Sequence, residues 1–188
     1  KQQFAEAEKL FREGVDRFPE TERAADCHLM WAWCLGKQYE QKPTKSHRLR
    51  YTESLDEHLE LYEMSSTTGD ANLMYGQFQE NRLQVTKALE HYLKVPLDHP
   101  KSVMADVAAL RSYEKILKLL REQDRSLDAW QEEAIMRLTQ RASAYPPESV
   151  QLSLTHCRVL LGIVSLQLGK GDLDDQDISR DLSHVIEA

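Results

Sequence analysis

The chain is short of the residues that interrupt helices. It has 7 glycines and 6 prolines in 188 residues, about 7% where ordinary proteins carry roughly 12%. Few breakers mean few turns. Valine and isoleucine are also scarce, 14 together against 26 leucines, which removes the β-branched runs that strands favour. Positive charge is in deficit: 24 Lys and Arg against 31 Asp and Glu leave a net charge of −7, the wrong sign for a protein whose affinity would come from neutralising phosphates. No apolar run approaches the ~18 residues needed to cross a bilayer, so the segment is expected to be soluble. The three cysteines, Cys27, Cys34 and Cys157, are odd in number and lack disulfide-like spacing, which points to a reducing, cytoplasmic setting. Phosphate-cradling glycine loops and a nucleophile elbow are missing too, so no enzymatic activity and no cofactor are expected.

What remains is rich in Leu, Ala, Glu, Gln, Lys and Arg, residues that lose little side-chain freedom in a helix. An all-α chain follows, read as one domain over 1–188 and, from its Lys1 start and its end inside a helical pattern, as a piece of a longer protein. Three- and four-residue apolar spacing predicts helices over about 1–18 (Phe4, Ala7, Leu10, Phe11, Val15), 21–40 with Leu29, Trp33 and Gly36 along one side, and 44–64 (Leu55, Leu59, Tyr62). Ser65 to Asp70 reads as a loop, with Asp70 capping a single long helix over 71–94. Further helices are predicted over 102–122, from Asp124 or Ser126 to Pro146-Pro147 (Trp130, Ala134, Leu138, Ala142), over 148–168 and, after an acidic loop, over 177–188. The segment 148–168 is apolar on almost every side, as in a helix covered on both flanks. Helices near 20 residues joined by short connections imply antiparallel neighbours, either as a closed bundle or as an open stack of hairpins.

Internal repetition favours the stack. Ala7, Phe11, Gly14 and Pro19 resemble the second helix of a tetratricopeptide repeat, and Leu35-Gly36-Lys37-Gln38-Tyr39 is similar to the Leu-Gly-x-x-Tyr portion of its first helix. Ala134, Leu138, Ala142 and Pro146 repeat the spacings of Ala7, Phe11, Val15 and Pro19, and Leu161-Gly162 falls 15 residues after Pro146 where Leu35-Gly36 falls 16 after Pro19. The resemblance implies antiparallel hairpins stacked as a right-handed superhelix, and a protein–protein interaction scaffold that binds a partner protein or peptide on the groove side. Carried onto the well-matched first helix, it places Met30, Trp33, Lys37 and Glu40 toward the groove, Trp33 as anchor because large aromatics dominate binding hot spots. Trp33 packed in the core is the alternative. The equivalents in the second copy, His156, Val159, Ile163 and Leu166, are too apolar for a wet groove and are expected to be buried against the last helix or a partner.

The one basic cluster, Lys42, Lys45, His47, Arg48 and Arg50, stands around a helix start, where positive charge opposes the helix dipole. Lys42, Lys45, Arg48 and Arg50 are candidates for contact with an acidic partner. Two other functions fit the sequence: a structural or dimerising helical domain, and a nucleic-acid-associated scaffold using Lys42 to Arg50. Metal chemistry finds no footing. Cys27 and Cys34 are two helical turns apart, too far for one tetrahedral ion, and the run Asp172, Asp174, Asp175, Asp177 has Asp177 and Ser183 where a calcium loop needs glycine and glutamate.

Overall fold

A computed structural model describes residues 2–19, 21, 23–144 and 154–170. Of these residues 81% are helical and none lies in a strand. The eight helices among the described residues are α1 (Gln2–Arg17), α2 (Arg23–Gln41), α3 (Lys45–Leu61), α4 (Thr68–Asn81), α5 (Val85–Leu93), α6 (Ser102–Glu122), α7 (Asp128–Ala142) and α8 (Leu154–Lys170). Packing runs mainly between neighbours in sequence, α1 with α2, α2 with α3, α5 with α6, α6 with α7 and α7 with α8, and α6 also meets α8, an all-α arrangement compatible with a stack of helical hairpins. The chain divides into two compact units, Lys1–Gln77 and Phe78–Ala188. Pro146-Pro147, the acidic run Asp172 to Asp177 and the segment 177–188 lie outside the described residues.

In the first unit α2 lies between α1 and α3. Its two flanks are therefore buried, through Ala24, Ala25, His28, Ala32, Cys34, Leu35 and Gly36. The expected side of Leu29, Trp33 and Gly36 is wrong in one member: Trp33 falls on the third, open face, 37% exposed. Leu10 is likewise 68% exposed, because at 100° per residue it sits roughly a third of a turn from the stripe through Phe4, Phe11 and Val15. Glu8 takes the inward place. Thr44 caps α3, its hydroxyl accepting from the His47 amide at 3.2 Å, so that orphan donor is satisfied.

Two boundaries differ from expectation. The run Ser65 to Asp70 is loop only as far as Thr67, whose carbonyl accepts from the Ala71 amide at 3.0 Å. Thr68 then opens α4, its hydroxyl donating to the carbonyls of Tyr62 and Glu63 at 2.8 and 2.9 Å, and Asp70 lies in the first turn, where a negative charge suits the dipole. The single helix expected over 71–94 is instead α4 and α5. It breaks at Leu83, whose φ is 60°, with Gln84 N–H bonded to Gln79 C=O and Leu83 N–H to Glu80 C=O, both at 2.9 Å. This is the left-handed helix stop that glycine ordinarily provides. Nothing in the local composition marks the break, since leucine is among the better helix formers. Asp124, at φ 51°, ends α6 by the same bonding.

In the second unit α6 packs against α5, α7 and α8. Ala105, Ala108, Ala109 and Ser112 are small and buried along it, which lets several neighbours approach. Val159, Ile163, Leu166 and His156 of α8 are buried, in a unit where α8 packs on α6 and α7. The helix is not covered on every side, since Leu161 and Leu168, on one further face, are 50% and 55% exposed.

The glycines test the repeat frame. A Cβ on Gly36 would stand 2.9 Å from the buried Tyr51 ring of α3, and one on Gly162 would stand 2.2 Å from Leu110 of α6, whereas one on Gly14 would meet Cys27 Sγ of α2 at 3.4 Å. Gly36 and Gly162 thus both permit close helix approach, but Leu35 is buried and its counterpart Leu161 half exposed, so the second copy does not reproduce the environment of the first.

Gly36→Ala should destabilise the protein by about 1 to 3 kcal/mol through overpacking, while Gly14→Ala should gain up to ~1 kcal/mol of helix propensity; urea unfolding of the two variants beside the parent checks the opposite signs. Leu83→Gly should raise stability by roughly 1 kcal/mol, because the left-handed conformation costs a leucine about that much and its exposed side chain forfeits no packing, read as a higher midpoint at unchanged slope.

Candidate partner-docking face

Because α1 and α3 occupy two flanks of α2, the side chains spaced at Met30, Trp33, Lys37 and Glu40 come together on its remaining face. Met30, Trp33 and Glu40 are exposed and Lys37 partly so. The Phe4 ring of α1 meets Trp33 edge-on at 5.5 Å, and Lys37 Nζ lies 5.7 Å from the centre of the same ring while donating to Glu40 at 2.7 Å. Trp33 is therefore held between an aromatic edge and a cation, with part of its surface open. The arrangement offers a flat apolar contact beside a matched ion pair.

The basic cluster does not act as one group. Arg50 reaches back to α1, its guanidinium donating to Glu8, which also accepts from Gln38 Nε2 of α2 at 2.8 Å. The His47 ring nitrogen is shared between the Thr44 hydroxyl at 2.9 Å and the Lys42 carbonyl at 3.0 Å. Lys42 and Lys45 remain exposed at the α2–α3 connection, with Arg48 half-buried. Of the four basic candidates, Arg50 is thus a tie between helices, and Lys42 and Lys45 face outward.

Sequence reasoning missed a buried group on the opposite flank of α2. His28 and His58 of α3 are both fully buried, with ring centres 5.3 Å apart. Trp31 stands 4.8 Å from His28, and Tyr62 stands 5.3 and 5.2 Å from the two rings. His58 Nε2 shares a hydrogen bond of 3.0 Å with the Thr67 hydroxyl, which is 2.7 Å from that of Ser65. The inward phase of His28, one turn before Ala32, was the available signal; the pairing across 30 residues had none.

A shallow apolar pocket of 240 Å³ lies at the α1–α2 turn, lined by Gly14, Phe18, Thr21, Arg23, Ala24 and Cys27. It is smaller than the ~300 to 1,000 Å³ of small-molecule sites. Among the described residues no three His, Cys, Asp or Glu side chains gather where one metal ion could be held, and no helix is long and apolar enough to cross a membrane. Comparisons with protein-family models, curated proteins and solved structures return no match.

Glu8→Ala should leave Arg50 and Gln38 without their acceptor and cost about 1 to 2 kcal/mol, since hydrogen bonds to a charged group are worth roughly 1.5 to 3 kcal/mol and Arg50 is partly solvated; Arg50→Ala should cost less, and the double variant little more than Glu8→Ala alone. Thermal unfolding of the three proteins measures it.

Proposed function

We propose that this chain is a non-catalytic protein–protein interaction module of tetratricopeptide-like kind, docking a segment of a partner protein on the open face of α2. The observation that carries the reading is the position of Trp33: a large aromatic on an internal helix, flanked on both sides by packed helices, yet left partly open and held in place by Phe4 and Lys37. Aromatics of limited rotational freedom in such settings supply much of the energy of protein recognition. The close Gly36–Tyr51 approach supports the tetratricopeptide likeness, because a small residue stands where that frame places one. Lys42 and Lys45, exposed just beyond the end of α2, extend the face toward carboxylates on the docked segment.

Trp33→Ala and Lys37→Glu should each retain the helicity and unfolding midpoint of the parent within ~1 kcal/mol, as partly exposed positions do, yet lose tenfold or more in affinity for a partner recovered by affinity purification on the parent. Retention of binding by both variants removes the docking face. A solution mass of two chains, lost on Trp33→Ala, would make the partner a second copy and the module a dimeriser. Binding that weakens steeply with salt and is lost on substituting Lys42 and Lys45, but not Trp33, would favour the nucleic-acid reading.

A further inference from the structure

The His28–His58 pair is an unusual thing to bury. Both rings have no solvent exposure, and both nitrogens of His28, Nδ1 of His58 and the indole N–H of Trp31 have no hydrogen-bond partner among the described residues. We propose that the pair is an acid-sensitive latch on the α2–α3 hairpin, closed while at most one ring carries a proton and released when both do.

The charges around it decide this. From α3 the one anion is Glu57, whose carboxylate lies 3.7 Å from His28 Nε2 and is half exposed. Tyr62, at the end of α3, presents a neutral ring. The α3–α4 connection contributes the Thr67 and Ser65 hydroxyls. From α1 the Arg12 guanidinium lies 5.2 Å above the Trp31 ring that meets His28, which disfavours added positive charge; α2 itself adds the Cys27 thiol, which acts on Tyr62. One proton on His28 therefore has a partner in Glu57. A second on His58 has no counter-ion among the described residues and faces the first across 5.3 Å of low-dielectric interior.

The linkage follows. Burial lowers His28, with Glu57 partly opposing, and burial followed by repulsion from His28 lowers His58 to about 4 from the ordinary 6.5. Below about pH 6.5 the opened hairpin binds more protons than the closed one, so closure weakens progressively as the pH falls toward 4 and is unaffected above 7. Removing Glu57 removes the one stabiliser of a proton in the closed state and so moves opening to higher pH. The latch concerns the hairpin itself and stands whether or not the α2 face docks a partner.

Amide hydrogen exchange on the full chain at pH 7.0 and 4.5, corrected for the intrinsic pH dependence of exchange, tests it. Segments 24–36 and 51–61 should exchange at least tenfold faster at the lower pH in the parent and less than twofold faster in the His28→Gln/His58→Gln variant. Glu57→Gln should reach the same tenfold at a pH nearer 6. An equal acceleration in the double variant, or none in the parent, overturns the proposal. Should the double variant fail to fold, nuclear magnetic resonance titration of the parent rings decides: loss of α2–α3 contacts on protonation of the second ring supports the latch, and both rings titrating near 6.5 with those contacts intact overturns it.

Discussion

Carboxylates set into helix interfaces are the constraint on which the rest of this structure depends. Glu8 of α1 accepts from Gln38 of α2 and Arg50 of α3. Glu80 of α4 accepts from the Tyr92 hydroxyl of α5 at 2.8 Å and from Arg111 and Lys115 of α6 at 2.9 and 2.8 Å. Asp106 of α6, fully buried, accepts from Arg141 of α7, whose other nitrogens donate to the Leu93 and Val95 carbonyls at the end of α5 at 3.1 and 3.0 Å. Each node joins three successive helices. An uncompensated buried charge costs several kcal/mol, so each node rejects any slide of its helices that would unpair it. Apolar packing alone is far less selective of register.

The response of Glu80 shows how such a node works. Burial raises its carboxyl, and the donors Lys115, Tyr92 and Arg111 together outweigh that and hold it below the usual carboxylate range. Its contribution is present above the unfolded carboxylate range and is lost as the pH falls through the lowered native value. The same charges that fix the register therefore make it conditional on acidity, and the half-buried His91, lowered to about 4 by desolvation and then by Lys94, acts in the same sense.

How far these features could be read in advance depended on their range in sequence. The limits of α6 rest on residues within a turn of one another, and they fall where spacing placed them. Gly36 was legible because Leu-Gly-x-x-Tyr is a local signature of close helix contact, and Tyr51 supplies that contact. The stop at Leu83 was not, because its cause is a backbone conformation that leucine disguises. Nor were the nodes: Glu8 and Arg50 are 42 residues apart, and Asp106 and Arg141 are 35, and in sequence each looks like an ordinary surface charge. The basic cluster was misleading for the same reason, since its count of charges did not reveal that Arg50 was already taken.

The candidate face on α2 is a consequence of the first node. Glu8 draws α3 back toward α1 through Arg50 while Gln38 of α2 shares the same carboxylate, so α1 and α3 are held on the flanks of α2 and its third side stays open. A helix so placed cannot be amphipathic in the simple sense, and its inward residues spread over two arcs that a single stripe does not describe. That is why Trp33 was ambiguous from spacing alone: it belongs to neither arc, yet the Phe4 edge and the Lys37 ammonium keep it ordered at the surface. It also explains where the histidines sit. His28 lies on the arc facing α3, where the second of two buried rings has a hydroxyl for a partner and no carboxylate. The α1 side of the helix is held by Gln38 donating to a carboxylate already paired with Arg50, and the α3 side by a pair of bases that stays closed only while it remains short of protons.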